Sequence, residues 1–250
     1  MTRPNDPHYS YAIYSDPNFA GQFDQSHFGG PTGQLVAEKE EQVLLDFVGD
    51  LHKKTVLDVG TGTGRVALAL ASHGAQVTGV DASSEMLKVA RARLAAAKMD
   101  VTFLPGDAHS LAFPDKSFDT VVSMRMLMHT INWRDCAAEL CRVSHRRVVF
   151  DFPPTWSAPA LQVGMRRVAK LAGRNVETYR VISIAAIRSV LTANGFDVVK
   201  LHRQFVLPIA FHKLIGSRAF TEGIEKIFTA IGLSRAFGAP VTIAAERRVS

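Results

Sequence analysis

Cysteine is scarce in this 250-residue chain: Cys136 and Cys141 are the two it has. They stand five apart on a predicted helix, where steps of about 100° per residue put them on different faces. That argues against a disulfide or a metal pair and fits a reducing compartment. Long apolar runs are also missing, for nowhere do about 18 uncharged apolar residues follow one another, so no membrane-spanning helix is expected. The opening "MTRPNDPHYSYAIYSDPNF" holds three prolines and no apolar core of signal-peptide length. A cytoplasmic protein is the expectation. No residue tract or internal repeat points to a solenoid or a low-complexity tail. What remains is 47% apolar content, ample for a sizeable core, and an uneven net charge of +6. Ten Lys or Arg face Glu177 and Asp197 between Leu161 and Arg218, a local surplus larger than that of the whole chain. Such a surplus suits an anionic substrate, a membrane surface, a nucleic acid, or simply a solvated face.

Apolar periodicity alternates along most of the chain. "EKEEQVLLDFV", Glu38 to Val48, reads as a helix with acids in its first turn, and "TVLDVG" follows as a strand. "RVALALASHG" is a helix closed by Gly74, and "QVTGVD" is a strand ending in Asp81. "SSEMLKVARARLAAAKM" has Ser83 or Ser84 as N-cap, and "VTFLPGD" is a third strand. "SFDTVVSM", "WRDCAAELCRVS" and "RRVVFDF" continue the rhythm up to Pro153 and Pro154. "SIAAIRSVLTANG", "FDVVKLHRQF" and "PVTIAAERR" add a helix and two more strands, seven in all. This order predicts a doubly wound α/β fold with a mostly parallel, Rossmann-like sheet and helices on both faces. Residues 1–35 read as an N-terminal lid segment. Residues 36–250 read as one domain with cap insertions at about 154–180, where Ala158 to Gly173 looks helical, and at about 207–238.

"VLDVGTGTGR" sets Gly60, Gly62 and Gly64 directly behind the first strand. Dinucleotide binders use G-x-G-x-x-G with a pyrophosphate on the helix N-terminus. Here the third glycine comes one residue early, and Arg65 takes the sixth position. Asp58, Asp81 and Asp107 end three successive strands around one expected pocket, where they would repel a pyrophosphate and attract a cation. Among nucleoside cofactors, S-adenosylmethionine carries a sulfonium and an ammonium and no phosphate. Asp81 follows Gly60 by 21 residues, the spacing at which an acid can accept both ribose hydroxyl protons.

With "VTGVDASSEML" and "FLPGDAHSLAFPDKSFDTVVS" following in order, the chain resembles the class I S-adenosylmethionine-dependent methyltransferases, in the group that includes ubiquinone and menaquinone biosynthesis enzymes. The resemblance covers about Glu38 to Asp151 and, more loosely, the strands to Glu246. It implies that Gly60, Thr61 and Gly62 wrap the methionine part, with Asp58 holding the ammonium. Asp81 would bind the ribose, Ala82 and Met86 would line the adenine, and Asp107 and Ala108 would contact its amino group and ring. Ser123, Met124 and Arg125 would pass beneath the sulfonium. Gly64 serves either the cofactor or close helix packing, and Met86 either the ligand wall or the core.

Methyl transfer needs a nucleophile held near the methyl group, and a base if that nucleophile carries a proton. His129 in "SMRMLMHTINW" is the first candidate for base or substrate contact, against a purely structural histidine at a helix start. Arg125 would hold an anionic group of the substrate or salt-bridge Asp107 or Asp119. Tyr9, Tyr11, Tyr14, Phe19, Phe23, His27 and Phe28 make the N-terminal segment a candidate aromatic lid. No Asn-Pro-Pro-Tyr-like motif follows the fourth strand, which disfavours an amide or adenine nitrogen as acceptor. The expectation is therefore methylation of an oxygen or carbon of a small molecule, lipophilic or anionic, with no DNA partner and no metal. RNA methylation and a non-catalytic S-adenosylmethionine-binding protein are the alternatives, and the cap could touch a membrane surface.

Overall fold

The computed structural model describes residues 13–157 and 180–248. The helix expected at Ala158 to Gly173, together with Tyr9 and Tyr11, lies outside the described residues. Seven strands form one sheet: β1 (Thr55–Val59), β2 (Gln76–Asp81), β3 (Val101–Pro105), β4 (Phe118–Ser123), β5 (Ser144–Phe152), β6 (Phe196–Phe205) and β7 (Ala239–Arg247). Their order is β3-β2-β1-β4-β5-β7-β6. The first five are parallel, and β7 runs antiparallel to both β5 and β6. The chain reverses direction of travel across the sheet between β1 and β4, so the crevice at their carboxyl ends is the natural ligand position.

Alternate residues of each central strand enter opposite cores. On one face Leu57, Val121, Val148 and Phe150 pack with Leu140 of α5 (Trp133–Val143) and Ile187 of α6 (Ile184–Ala193). On the other, Val56, Val122 and Val149 meet α2 (Gly30–Val48), α3 (Arg65–Ser72) and α4 (Ser84–Ala97) through Leu44, Leu70 and Leu87. Strands buried on both faces read as the near-continuous apolar runs seen in the sequence.

Two boundaries differ from the sequence reading. The helix expected from Glu38 begins at Gly30, and a separate helix α1 (Pro17–Phe28) precedes it, so the described part of the lid segment is largely helical. Asp16 caps α1 by accepting the backbone N–H of Asn18 at 2.8 Å, with Pro17 at the first helical position. Periodicity missed α1 because Ala20 is its one fully buried residue among the described side chains. The predicted cap at 207–238 contains α7 (Ile209–Ile215), α8 (Arg218–Ala230) and α9 (Leu233–Phe237). Among the described residues, no helix is long and apolar enough to cross a membrane.

Candidate active site

At the carboxyl ends of β1, β2 and β4 the chain encloses a cleft of about 1110 Å³, part of it open to solvent. One end is built by the glycine turn. Gly60 and Thr61 donate their N–H groups to the carbonyl of Val80 at 2.8 and 3.0 Å, which folds the turn across the end of β2. Gly60 has φ +74°, and a Cβ there would sit 2.7 Å from Cγ of Met126. A side chain at this position is excluded by both backbone and space. Gly62, with φ +55°, lines the cleft, whereas Gly64 packs beneath it: its Cβ would lie 2.9 Å from the Phe103 ring and 3.0 Å from Ala90. Of the two roles considered for Gly64, the structure shows the packing one.

Asp58 is buried, and its Oδ2 accepts the Thr61 hydroxyl at 2.7 Å. Burial pushes its carboxyl up to about 7, with nearby Asp81 adding to the rise, while the Thr61 hydrogen bond and the charge of Arg65 oppose it. Asp81 accepts N–H groups from Gly62 and Ser83, each at 2.8 Å, and burial raises its carboxyl as well. A buried and a half-buried carboxylate facing one cavity are costly unless a cation joins them. The donor set therefore fits a cationic nucleoside such as S-adenosylmethionine: Asp58 is suited to its ammonium and Asp81 to its ribose hydroxyls. Ala82, Met86, Gly106, Ala108 and His109 continue the lining beyond Asp81.

The expected residues do not all reach the cleft. Asp58, Gly60, Thr61, Gly62, Asp81, Ala82, Met86, Ala108, Met124, Arg125 and His129 line it together. Asp107 and Ser123 are not among the lining residues. The Asp107 carboxylate turns back on its own loop, accepting the backbone N–H of His109 at 2.9 Å and meeting its Nδ1 at 2.7 Å. His109 takes the lining position instead. Ser123 is fully buried and donates its hydroxyl to the Val59 carbonyl at 2.8 Å, tying β4 to β1.

The rest of the lining is largely apolar and aromatic. Tyr14, Phe23 and Phe28 contribute to it from the N-terminal segment, and Met124 and Met126 from the chain after β4. His129 ends the 3₁₀ turn Leu127–His129 and lines the cleft, with its ring edge-to-face against Tyr14 at 6.0 Å between centroids. Helix α1 is fastened by Asp24, which accepts the Thr63 hydroxyl at 2.9 Å and pairs with Arg93 of α4. Arg125 pairs with neither Asp107 nor Asp119. Its Nη1 reaches Glu40 of α2 at 3.3 Å, and Asp119 is occupied by Thr55, whose N–H and hydroxyl both lie at 2.9 Å. Glu40 also takes Arg65 Nη2 at 2.9 Å.

Glu40 was missed at the sequence level, although a signal existed: it stands on the stripe Val36, Glu40, Leu44, where both neighbours are buried. A charge on the apolar stripe of a helix needs a partner. Arg65 was read as a lost glycine rather than as a lining side chain. No residue of 207–238 lines the cleft. That cap packs instead on the lid helices: Lys213 Nζ donates to the carbonyls of Ser26 and His27 at 2.8 and 2.7 Å, and Arg218 pairs with Glu38 at 2.7 Å.

Comparison with known proteins agrees with this geometry. A family model described as a methyltransferase domain matches residues 56–146. Over 174 residues the chain is 33% identical to the demethylmenaquinone methyltransferase of Thermus thermophilus, covering 62% of this chain and 79% of that protein. Over 188 residues it is 36% identical to the enzyme of the same name from Clavibacter sepedonicus, covering 66% and 75%. Among solved structures, magnesium protoporphyrin IX methyltransferase from Synechocystis PCC 6803 with bound SAH superposes with a TM-score of 0.67, at 19% identity over 97% of this chain and 100% of that one.

Proposed function

The chain belongs to the S-adenosylmethionine-dependent methyltransferases, and from that premise we propose that it methylates a ring carbon or oxygen of a small aromatic acceptor of the quinone class, in its reduced form. The observation that carries the reading is the apolar, aromatic part of the cleft lining, Tyr14, Phe23, Phe28, Met124 and Met126, with Tyr14 edge-on to His129. Such walls take up a flat, lipophilic ring and keep water from it. Two relatives named above act, by their names, on a quinone of this kind.

S-adenosylmethionine supplies an electrophilic methyl group. The protein's own part is to bind, orient and exclude water. Asp58 and Asp81 hold the cationic nucleoside at the acidic end of the cleft, with the glycine turn wrapped against it. The aromatic lid positions the acceptor ring over the 3₁₀ turn. His129, oriented by the edge contact with Tyr14, takes the proton that the acceptor gives up.

The test is methyl transfer from methyl-labelled S-adenosylmethionine to a reduced, short-chain demethylmenaquinone. Label is expected in the quinone, with the rate lowered roughly 10²- to 10⁴-fold in His129→Ala, the usual range for loss of a general base. No label in the reduced quinone would reject this acceptor class. An undiminished rate in the variant would remove His129 from the chemistry.

A further inference from the structure

Two arginines share one carboxylate on the wall of the cleft. Arg65 is the first residue of α3, directly behind the glycine turn, and Arg125 follows β4 with a φ of +59°. Both line the cleft, and both guanidinium carbons lie over the ring of Phe28, at 4.2 and 5.2 Å from its centroid. Glu40 gives Oε2 to Arg65 at 2.9 Å and Oε1 to Arg125 at 3.3 Å. Two further acids are in reach: Asp58, on whose buried carboxyl the charge of Arg65 acts, and Asp151, which accepts the backbone N–H of Arg125 at Oδ1 while its Oδ2 and the Nε of Arg125 are buried without a hydrogen-bond partner. Burial, with Glu40 beside it, pushes the Asp151 carboxyl up to about 7, while the Arg125 backbone N–H and the Arg125 charge oppose the rise.

A purely structural network would leave no donor unused and would not line an open cleft. Here both guanidiniums line the cleft, and the Nε of Arg125 is left without a hydrogen-bond partner. Guanidinium groups are weakly hydrated planar forks, which suits them to an oxyanion or carboxylate on a flat ring.

We propose that Arg65 and Arg125, set over Phe28 and tied to Glu40, form an anion-recognising wall that selects acceptors carrying a planar oxyanion, either an ionised ring hydroxyl or a ring carboxylate. This rests on the reading of the aromatic part of the cleft lining as the acceptor site. When the anion is an ionised hydroxyl, its O–H bond breaks on binding and the proton leaves to His129 or to water. Arg125 and Arg65 are thus specificity-determining residues, and Glu40 is a positioning residue that acts through them.

The full chain, saturated with S-adenosylhomocysteine, is titrated with three probes: 1-hydroxy-2-naphthoate, the corresponding amide, and 4-nitro-1-naphthol, whose ionisation is followed by absorbance. Two outcomes support the wall and identify the source of the charge. A carboxylate partner makes the naphthoate bind roughly tenfold or more tighter than the amide, as charged hydrogen bonds do. A hydroxyl partner lowers the apparent pKa of the bound nitronaphthol by about one unit or more. Arg125→Gln and Arg65→Gln are expected to abolish most of either effect. Arg125→Lys keeps the charge without the fork and is expected to retain the pKa shift while losing most of the carboxylate preference. Unfolding midpoints confirm that the variants are folded. Equal binding of naphthoate and amide together with an unshifted nitronaphthol overturns the proposal, as does a preference that survives both glutamine variants. These are binding readouts, independent of turnover. A discriminating wall in a protein that does not methylate the reduced quinone removes that acceptor and leaves the wall, and methylation without discrimination removes the wall.

Discussion

Asp58 is the residue on which burial and function meet most directly. Its carboxyl titrates near pH 7 because burial disfavours the charged form. The folded pKa lies above the ordinary value of 3.8, so between about pH 4 and 7 the folded protein holds more protons than the unfolded chain. Stability of the ligand-free protein therefore falls as pH rises through that window. Asp151, pushed up to about 7 in the same way, adds to the fall. Thermal unfolding across pH 4.5 to 8 is expected to show this decline, and Asp151→Asn to reduce it; an unchanged slope would contradict the assignment. Cofactor binding has the opposite sign, because the ammonium prefers the ionised carboxylate. Affinity for S-adenosylmethionine is expected to climb through about pH 7 with release of a proton, and Asp58→Asn to flatten that part of the profile, as read by calorimetry in buffers of different ionisation enthalpy. At this scale the sequence was legible where a residue lies at or beside a strand's carboxyl end, as Asp58 and Asp81 do. It was not where the role depends on which way a loop turns: Asp107 bends onto His109, and Ser123 faces the Val59 carbonyl.

At the scale of elements, the glycine turn separates packing from backbone strain. Gly64→Ala must place a Cβ at 2.9 Å from Phe103 and 3.0 Å from Ala90 at φ +76°, and is expected to cost about 2 to 4 kcal/mol in chemical denaturation. Gly195→Ala, at φ +79° with no atom within 4 Å of the added Cβ, carries the backbone strain alone and is expected to cost about 1 kcal/mol. Equal losses at the two sites would deny the packing role of Gly64. The lid helix α1 is held by Asp24 through the buried Thr63 and through Arg93, an ion pair whose two side chains are about a third exposed, so Asp24→Ala is expected to loosen it by only about 1 kcal/mol. That predicts a KM for the acceptor raised roughly fivefold with kcat little changed, and faster amide exchange confined to 17–28. Unaltered exchange in that helix would show that the anchor lies elsewhere. Strands and core helices were readable because their apolar periods are forced by burial on two faces. Helix α1 was not, since it lies on the molecule's surface with few buried positions; its visible signal was the Asp16-Pro17 cap.

For the whole molecule, the alternation of strands and helices was enough to anticipate a doubly wound sheet, and the three acids and shifted glycine enough to anticipate a cationic nucleoside. The antiparallel insertion of β7 between β5 and β6 follows from a pairing over long sequence separation, which local pattern does not encode. The cap at 207–238, read from the sequence as a cap insertion, contributes no residue to the lining of the cleft. It instead supports α1 and α2 from behind, with Lys213 on the carbonyl end of α1 and the Thr32 hydroxyl donating to the His212 carbonyl at 3.3 Å. The acceptor wall consequently comes from the N-terminal helix and from residues 124–130, and the charge balance of the cleft is set by contacts between α2, α3 and the end of β4 that are 25 and 85 residues apart.

The central claim is that the acidic end of the cleft is the S-adenosylmethionine site. Isothermal calorimetry of the full chain with S-adenosylmethionine and with NAD, repeated on Asp81→Ala, tests it most directly. The account expects S-adenosylmethionine to bind and NAD not to, with the variant weakened by about 1 to 3 kcal/mol, roughly 5- to 150-fold, through loss of charged hydrogen bonds to the ribose. Binding of NAD alone, or an affinity for S-adenosylmethionine unchanged in Asp81→Ala, would contradict it.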